Sequence, residues 1–324
     1  MSNNEYYNDT VDFVIPLHRY HYMVRTVVEA IHHFYSPRTI YIVTPKPDAE
    51  IVKQNAIYWE GGRTVKVFEE ETFFMKNHGL HYRDIYDWFN QKKDERSREF
   101  GWWYQQLIKL GASTQIEGLS STYIVWDSDL IPLKKWEIYP ADIYRPSQFK
   151  FAILQETSRT LWNTEQYTQS LFDLTGLPIC DPPTGTFVPH HFVFHKRVLA
   201  DLISMIESKS AAKPPTTKPC WIKSVMDLSH KYFRFSEYRM VASFMMNRYP
   251  ELLNYHSFED FGKFGERIRE PVPFLEKMEN FFGGFSGIQT EGSPFLGGIS
   301  YNHFVGFVEK MYSEMPSYLQ LEHI

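Results

Sequence analysis

Asp127 and Asp129 stand one residue apart in "YIVWDSDLIPL", directly after the apolar run "TYIVW". A carboxylate near a core is costly unless something compensates its charge. Extended residues at i and i+2 point the same way, so the two carboxylates are expected to face one side. Two anionic oxygen donors so placed repel each other unless a cation joins them. A hard divalent ion, Mg²⁺ or Mn²⁺, suits such donors and leaves room for substrate phosphates to complete its shell. The alternative is local: one aspartate caps the next turn and the other is simply exposed.

The elements that would position this pair read as an α/β pattern. "VDFVIPL" is a first strand, and "YMVRTVVEAIHHF" follows with Met23, Val27, Ala30, Ile31 and Phe34 at helical spacing. "TIYIVT" and "TVKVFEE" read as second and third strands, the first two strands being continuous rather than alternating apolar runs. That favours a mostly parallel central sheet with helices on both faces. "GWWYQQLIKLGAS" reads as a helix with Trp103, Leu107 and Leu110 on one face and Trp102, Gln105, Gln106 and Lys109 on another. The charge run 91–99 reads as a solvated helix or loop, and the Pro- and Lys-rich stretch 208–220 as an exposed excursion. The expected organisation is a domain over residues 1–255 with a Gly- and Phe-rich extension or lid over 256–324.

Bulk properties narrow the function. The 324 residues carry a net charge of −5, which argues against broad capture of nucleic acid. Two cysteines are too few for a disulfide framework, the polar start lacks a signal-peptide core, and no apolar run is long enough to span a membrane. A cytoplasmic location is the expectation. Neither a phosphate-binding G-x-x-x-x-G-K-[ST] nor a G-x-S-x-G elbow occurs.

Strand, "DSD", then "LIPL" resembles the D-x-D signature of nucleotide-sugar glycosyltransferases of the GT-A fold. The ordered blocks "GWWYQQLIKL", "YIVWDSDLIPL", "HHFVFHKRVL" and "SEYRMVASFMMNRYP", within residues 11–255, are similar to a largely uncharacterised bacterial glycosyltransferase-like family. Arg239 departs from that family, which often has a second acidic residue there.

The resemblance implies a metal-dependent transfer from a nucleoside-diphosphate sugar to a hydroxyl of a glycan, lipid or small molecule. Asp129 would hold Mn²⁺ or Mg²⁺ against the diphosphate. Asp127 would contact the metal or the ribose, with Ser128 among the donor contacts. Lys109 and Gln105 would face the donor phosphate and sugar; the bland alternative makes Lys109 a surface lysine. His190 and His191 would touch the donor sugar, with His191 able to complete the metal shell, or else both are structural. Arg19 and Thr44 follow the first two strands, where such proteins hold the nucleotide base. His256 and His303 are further candidates for a third metal ligand.

Ser236 reads as an N-cap with Glu237 in the first turn. Glu237 would then be the general base of an inverting transfer, or an acid that merely complements the helix dipole. Two alternatives accompany this reading. One is a nucleotide- or glycan-binding protein without chemistry. The other is a phosphohydrolase of the haloacid-dehalogenase kind, disfavoured because its aspartates normally lie on the first strand.

Overall fold

The computed structural model describes residues 11–90, 99–136, 138, 151–154, 164–180, 187–211, 220–231, 235–256, 265–284, 295–322 and 324. Its first elements are β1 (Asp12–Pro16), α1 (Val24–Tyr35), β2 (Thr39–Thr44), α2 (Lys46–Ala56) and β3 (Val65–Glu69). Helices α3 (Met75–His78), α4 (Tyr82–Phe89) and α5 (Phe100–Gln115) lead to β4 (Thr122–Trp126) and β5 (Leu130–Pro132). Then come β6 (Phe151–Leu154), α6 (Thr164–Thr175), β7 (His191–His195), α7 (Lys196–Ala211), α8 (Trp221–Leu228), α9 (Glu237–Arg248) and β8 (Leu253–His256). The chain closes with β9 (Glu266–Ile268), α10 (Val272–Phe281), α11 (Tyr301–Met311) and β10 (Tyr318–Leu321).

The architecture is mixed α/β. A five-stranded, mainly parallel sheet has the order β3-β2-β1-β4-β7, with smaller sheets β5-β10-β9 and β6-β8. The three strands and the one helix expected within residues 12–69 form as β1, α1, β2 and β3, and α2 is an additional helix that was not anticipated. The charge run through residue 98 and most of the 208–220 stretch lie outside the described residues. No helix among the described residues is long and apolar enough to cross a membrane.

The chain groups into two compact units. One comprises residues 70–125 and 138–257 with the first nine; the other comprises 10–69, 126–137 and 258–324. In the second, β1 and β2 are buried along their whole length and pair in parallel from Asp12↔Thr39 to Pro16↔Val43. Continuous apolar strands suit a sheet covered on both faces. Asp12 is tolerated there because Arg38 meets both of its carboxylate oxygens.

The described residues after 264 group with this unit. Strand β10 runs antiparallel to β5 and parallel to β9. The segment after Phe295 lies against α1, where Glu29 accepts from Arg25 Nε, Glu60 N and Tyr301 N at 2.7, 3.1 and 2.7 Å. In the first unit, α5 buries Trp103 on Phe235 with rings parallel to within 9°. Gly111 lets α5 approach Phe74; a Cβ there would sit 2.5 Å from that ring.

Candidate functional site

In the second unit, the D-x-D residues form a turn rather than an extended stretch, because the chain reverses from β4 into β5. Leu130 N donates to Asp127 O at 3.2 Å across that turn. The expected same-side presentation of alternate extended residues therefore does not describe them. The turn is framed closely. Trp126 Nε1 donates to Leu130 O at 2.8 Å, its ring stacks on Trp136, and Leu321 N donates to Asp129 O at 3.0 Å. Asp127, Ser128 and Asp129 are half-buried. The support from β10 was not legible in the sequence, since nothing local to Tyr318–Leu321 marks its partner.

Thr44 ends β2 fully buried, and its hydroxyl has no hydrogen-bond partner among the described residues. Arg19 is exposed in the loop after β1. In the same loop, burial lowers His21 to about 4 and raises Tyr20 to about 12, so both are neutral at pH 7. Ser300 caps α11 by accepting from His303 N, with the His303 Nδ1 2.6 Å from the same Oγ, and the side chain of His256 lies outside those described.

The first unit holds a second cluster. Lys109 Nζ is 2.8 Å from Glu237 Oε1, and the two side chains are only 4% and 5% exposed. Lys109 is thus no surface lysine, and the two residues expected to serve phosphate and acceptor face each other. The lysine also sits over the Tyr238 ring, 4.5 Å from its centroid. Ser236 is the N-cap expected, accepting from Arg239 N. Gln106, not singled out by the sequence reading, joins the network: its Oε1 accepts from Glu237 N at 3.2 Å, and its Nε2 donates to Trp102 O at 3.4 Å. The Gln-Gln doublet was the available signal, but helical periodicity alone did not say which amide turns inward. Gln105 is half-buried.

Arg239 is buried with its guanidinium 4.7 Å from the Tyr167 ring centroid, a cation–π contact in place of a second acid. His191 is buried and its Nδ1 lies 3.0 Å from Pro189 O. His190 is half-buried in a left-handed conformation, φ 63°.

Among the described residues, no group of three or more His, Cys, Asp or Glu side chains converges to hold a metal. A hard cation of the Mg²⁺ type commonly takes one or two carboxylates and fills its shell with water and phosphate, so in number and donor type Asp127 and Asp129 would suffice.

The fold therefore defines a mixed α/β protein with a D-x-D turn at the end of a central strand. More particularly, the chain belongs to the family of unknown function DUF6492, whose match spans residues 9–281. No curated protein matches it by sequence. Among solved structures it is similar to mouse xyloside xylosyltransferase 1 at 11% identity, covering 97% of this chain and 98% of that one, with a TM-score of 0.45. It is similar to the WbbM bifunctional glycosyltransferase at 10% identity, covering 98% of this chain and 46% of that one, with a TM-score of 0.39. Its likeness to the galactosyltransferase LgtC has 7% identity, 96% and 87% coverage and a TM-score of 0.40. At such distances the functional reading rests on the residues of the site.

Proposed function

We propose that the protein is a metal-dependent glycosyltransferase that uses a nucleoside-diphosphate sugar and a hydroxyl acceptor. The observation that carries this reading is the half-buried D-x-D turn leaving β4, held by Trp126 and by Leu321. In open α/β sheets ligands bind outside the carboxyl ends of strands, here those of β1 and β4. The segments leaving those two ends are residues 17–23 and 127–129.

In this reading Asp129 and Asp127 hold Mn²⁺ or Mg²⁺, with Ser128 beside the donor. Arg19 and Thr44 belong to the nucleotide side, and Gln105, His190 and His191 to the sugar. The ion would stabilise charge growing on the departing diphosphate. The acceptor oxygen bonds to the anomeric carbon as the bond from that carbon to the diphosphate oxygen breaks. Glu237 receives the hydroxyl proton, giving inversion. Lys109 holds Glu237 in place rather than meeting the phosphate itself.

One observation favours a second reading, a nucleotide- or glycan-binding protein without transfer: the Glu237 carboxylate is almost fully buried against Lys109. A nucleotide-sugar hydrolysis and transfer panel with Mn²⁺, repeated with EDTA and with Asp129→Ala, separates the two. Turnover lost in both supports the transferase. Full turnover in the chelated enzyme overturns the metal assignment, and nucleotide binding with no turnover of any donor favours the second reading.

A further inference from the structure

Phe295–Tyr301, part of the stretch expected to be an extension or lid, is tied to the first loop of its own unit. Leu296 O and Gly298 O accept from Arg25 Nη1 at 2.9 and 3.3 Å. Gly297 O accepts from both Trp59 Nε1 at 2.7 Å and Tyr20 OH at 3.2 Å. Ile299 O accepts from Thr26 Oγ1 at 2.7 Å, while Ile299 N donates to Tyr22 O at 3.0 Å. The carbonyls of 296 to 299 are thus each met by a side chain of the loop, of α1 or of Trp59. Such close tracking depends on the glycine pair. Gly297 and Gly298 have φ of 76° and 111°, and a Cβ on Gly298 would stand 2.4 Å from Tyr22 O.

The loop is gripped from its other side as well. Tyr20 N donates to Asp48 Oδ1 at 3.0 Å, and Asn55 Nδ2 donates to Tyr20 OH at 3.0 Å. Two residues flanking His21 are therefore held at backbone and side-chain level, by α2 and by the strap. These bonds end on the loop that leaves β1, which carries Arg19. A strap serving only to cover the core could be held by apolar packing; this one is bonded to the loop itself.

We propose that the Phe295–Tyr301 strap is a positioning device that pre-shapes residues 17–23 for the nucleotide of the donor, with Gly298, Arg25 and Trp59 as its positioning residues. This rests on the transferase reading above. Binding to a loop already ordered avoids the entropy of ordering it, so the strap acts on donor affinity rather than on the chemical step.

The test compares wild type with Gly298→Ala and Trp59→Phe. Amide exchange over residues 17–23 is measured by mass spectrometry, and binding of UDP and of GDP with Mn²⁺ by calorimetry. Thr26→Val, which deletes a single strap bond, serves if Gly298→Ala does not fold. Faster exchange confined to residues 17–23, with nucleotide affinity about tenfold weaker and kcat kept at saturating donor, is the expected result, on the order of one or two lost hydrogen bonds. Unchanged exchange in the folded variants overturns the clamp. Faster exchange with unchanged affinity, or kcat falling as much as affinity, overturns the positioning role. Should wild type bind neither nucleotide, the donor reading fails and takes the positioning role with it, while the exchange data still decide whether the strap holds the loop.

Discussion

Replacing Lys109 by methionine keeps most of the side chain's length and removes its charge. In the native protein Lys109 Nζ lies 2.8 Å from Glu237 Oε1, with both side chains about 95% enclosed. The substitution leaves a carboxylate in a site with almost no water to replace the ammonium. Breaking a buried pair from one side costs about 3–5 kcal/mol, far more than losing a surface ion pair. For a chain of this size that corresponds to a fall in Tm of roughly 5–10 °C. Differential scanning calorimetry and urea denaturation measure it directly. The double variant Lys109→Met/Glu237→Leu should recover most of the loss, because apolar groups of similar volume replace a buried pair at little net cost. A single variant within about 1 kcal/mol of wild type would refute the reasoning, as would a double variant no better than the single.

Other outcomes follow from the same structure. Asp129→Ala should abolish the Mn²⁺-dependent thermal stabilisation given by UDP or GDP. Glu237→Gln should keep donor binding by calorimetry and lose transfer in a product assay. Arg38→Ala should destabilise by about 1–3 kcal/mol in urea titrations, since it removes hydrogen bonds to the buried Asp12 carboxylate. His21 falls from 6.5 unfolded to about 4 folded, because burial opposes its charge. The unfolded chain therefore takes up the proton first, so stability present above about pH 6.5 declines as pH falls toward 4, by roughly 3 kcal/mol. His21→Gln should flatten that part of the stability–pH curve.

The three strands of residues 12–69 and helix α1 were legible because their apolar spacing is local, whereas α2 was not anticipated. The D-x-D was legible as a feature at a strand end, and the turn was weighed there only as the alternative to an extended pair. A chain reversal closed by Leu130 and Asp127 looks, in sequence, like two more residues of strand. Ser236 was legible as a cap because the rule concerns adjacent residues. Gln106 was passed over because its partner is on another helix.

By itself, then, the order of amino acids determined the local periodicities, the helix start at Ser236 and the placement of paired acids after an apolar strand. These depend on neighbours a few residues apart. Tertiary structure alone decided that Lys109 meets Glu237, that β10 supports Asp129, and that two glycines near the C-terminus grip the first loop. Each of these joins groups far apart in the chain. Their energies come from burial and hydrogen bonding realised only once the intervening segments have folded, so no local pattern announces them.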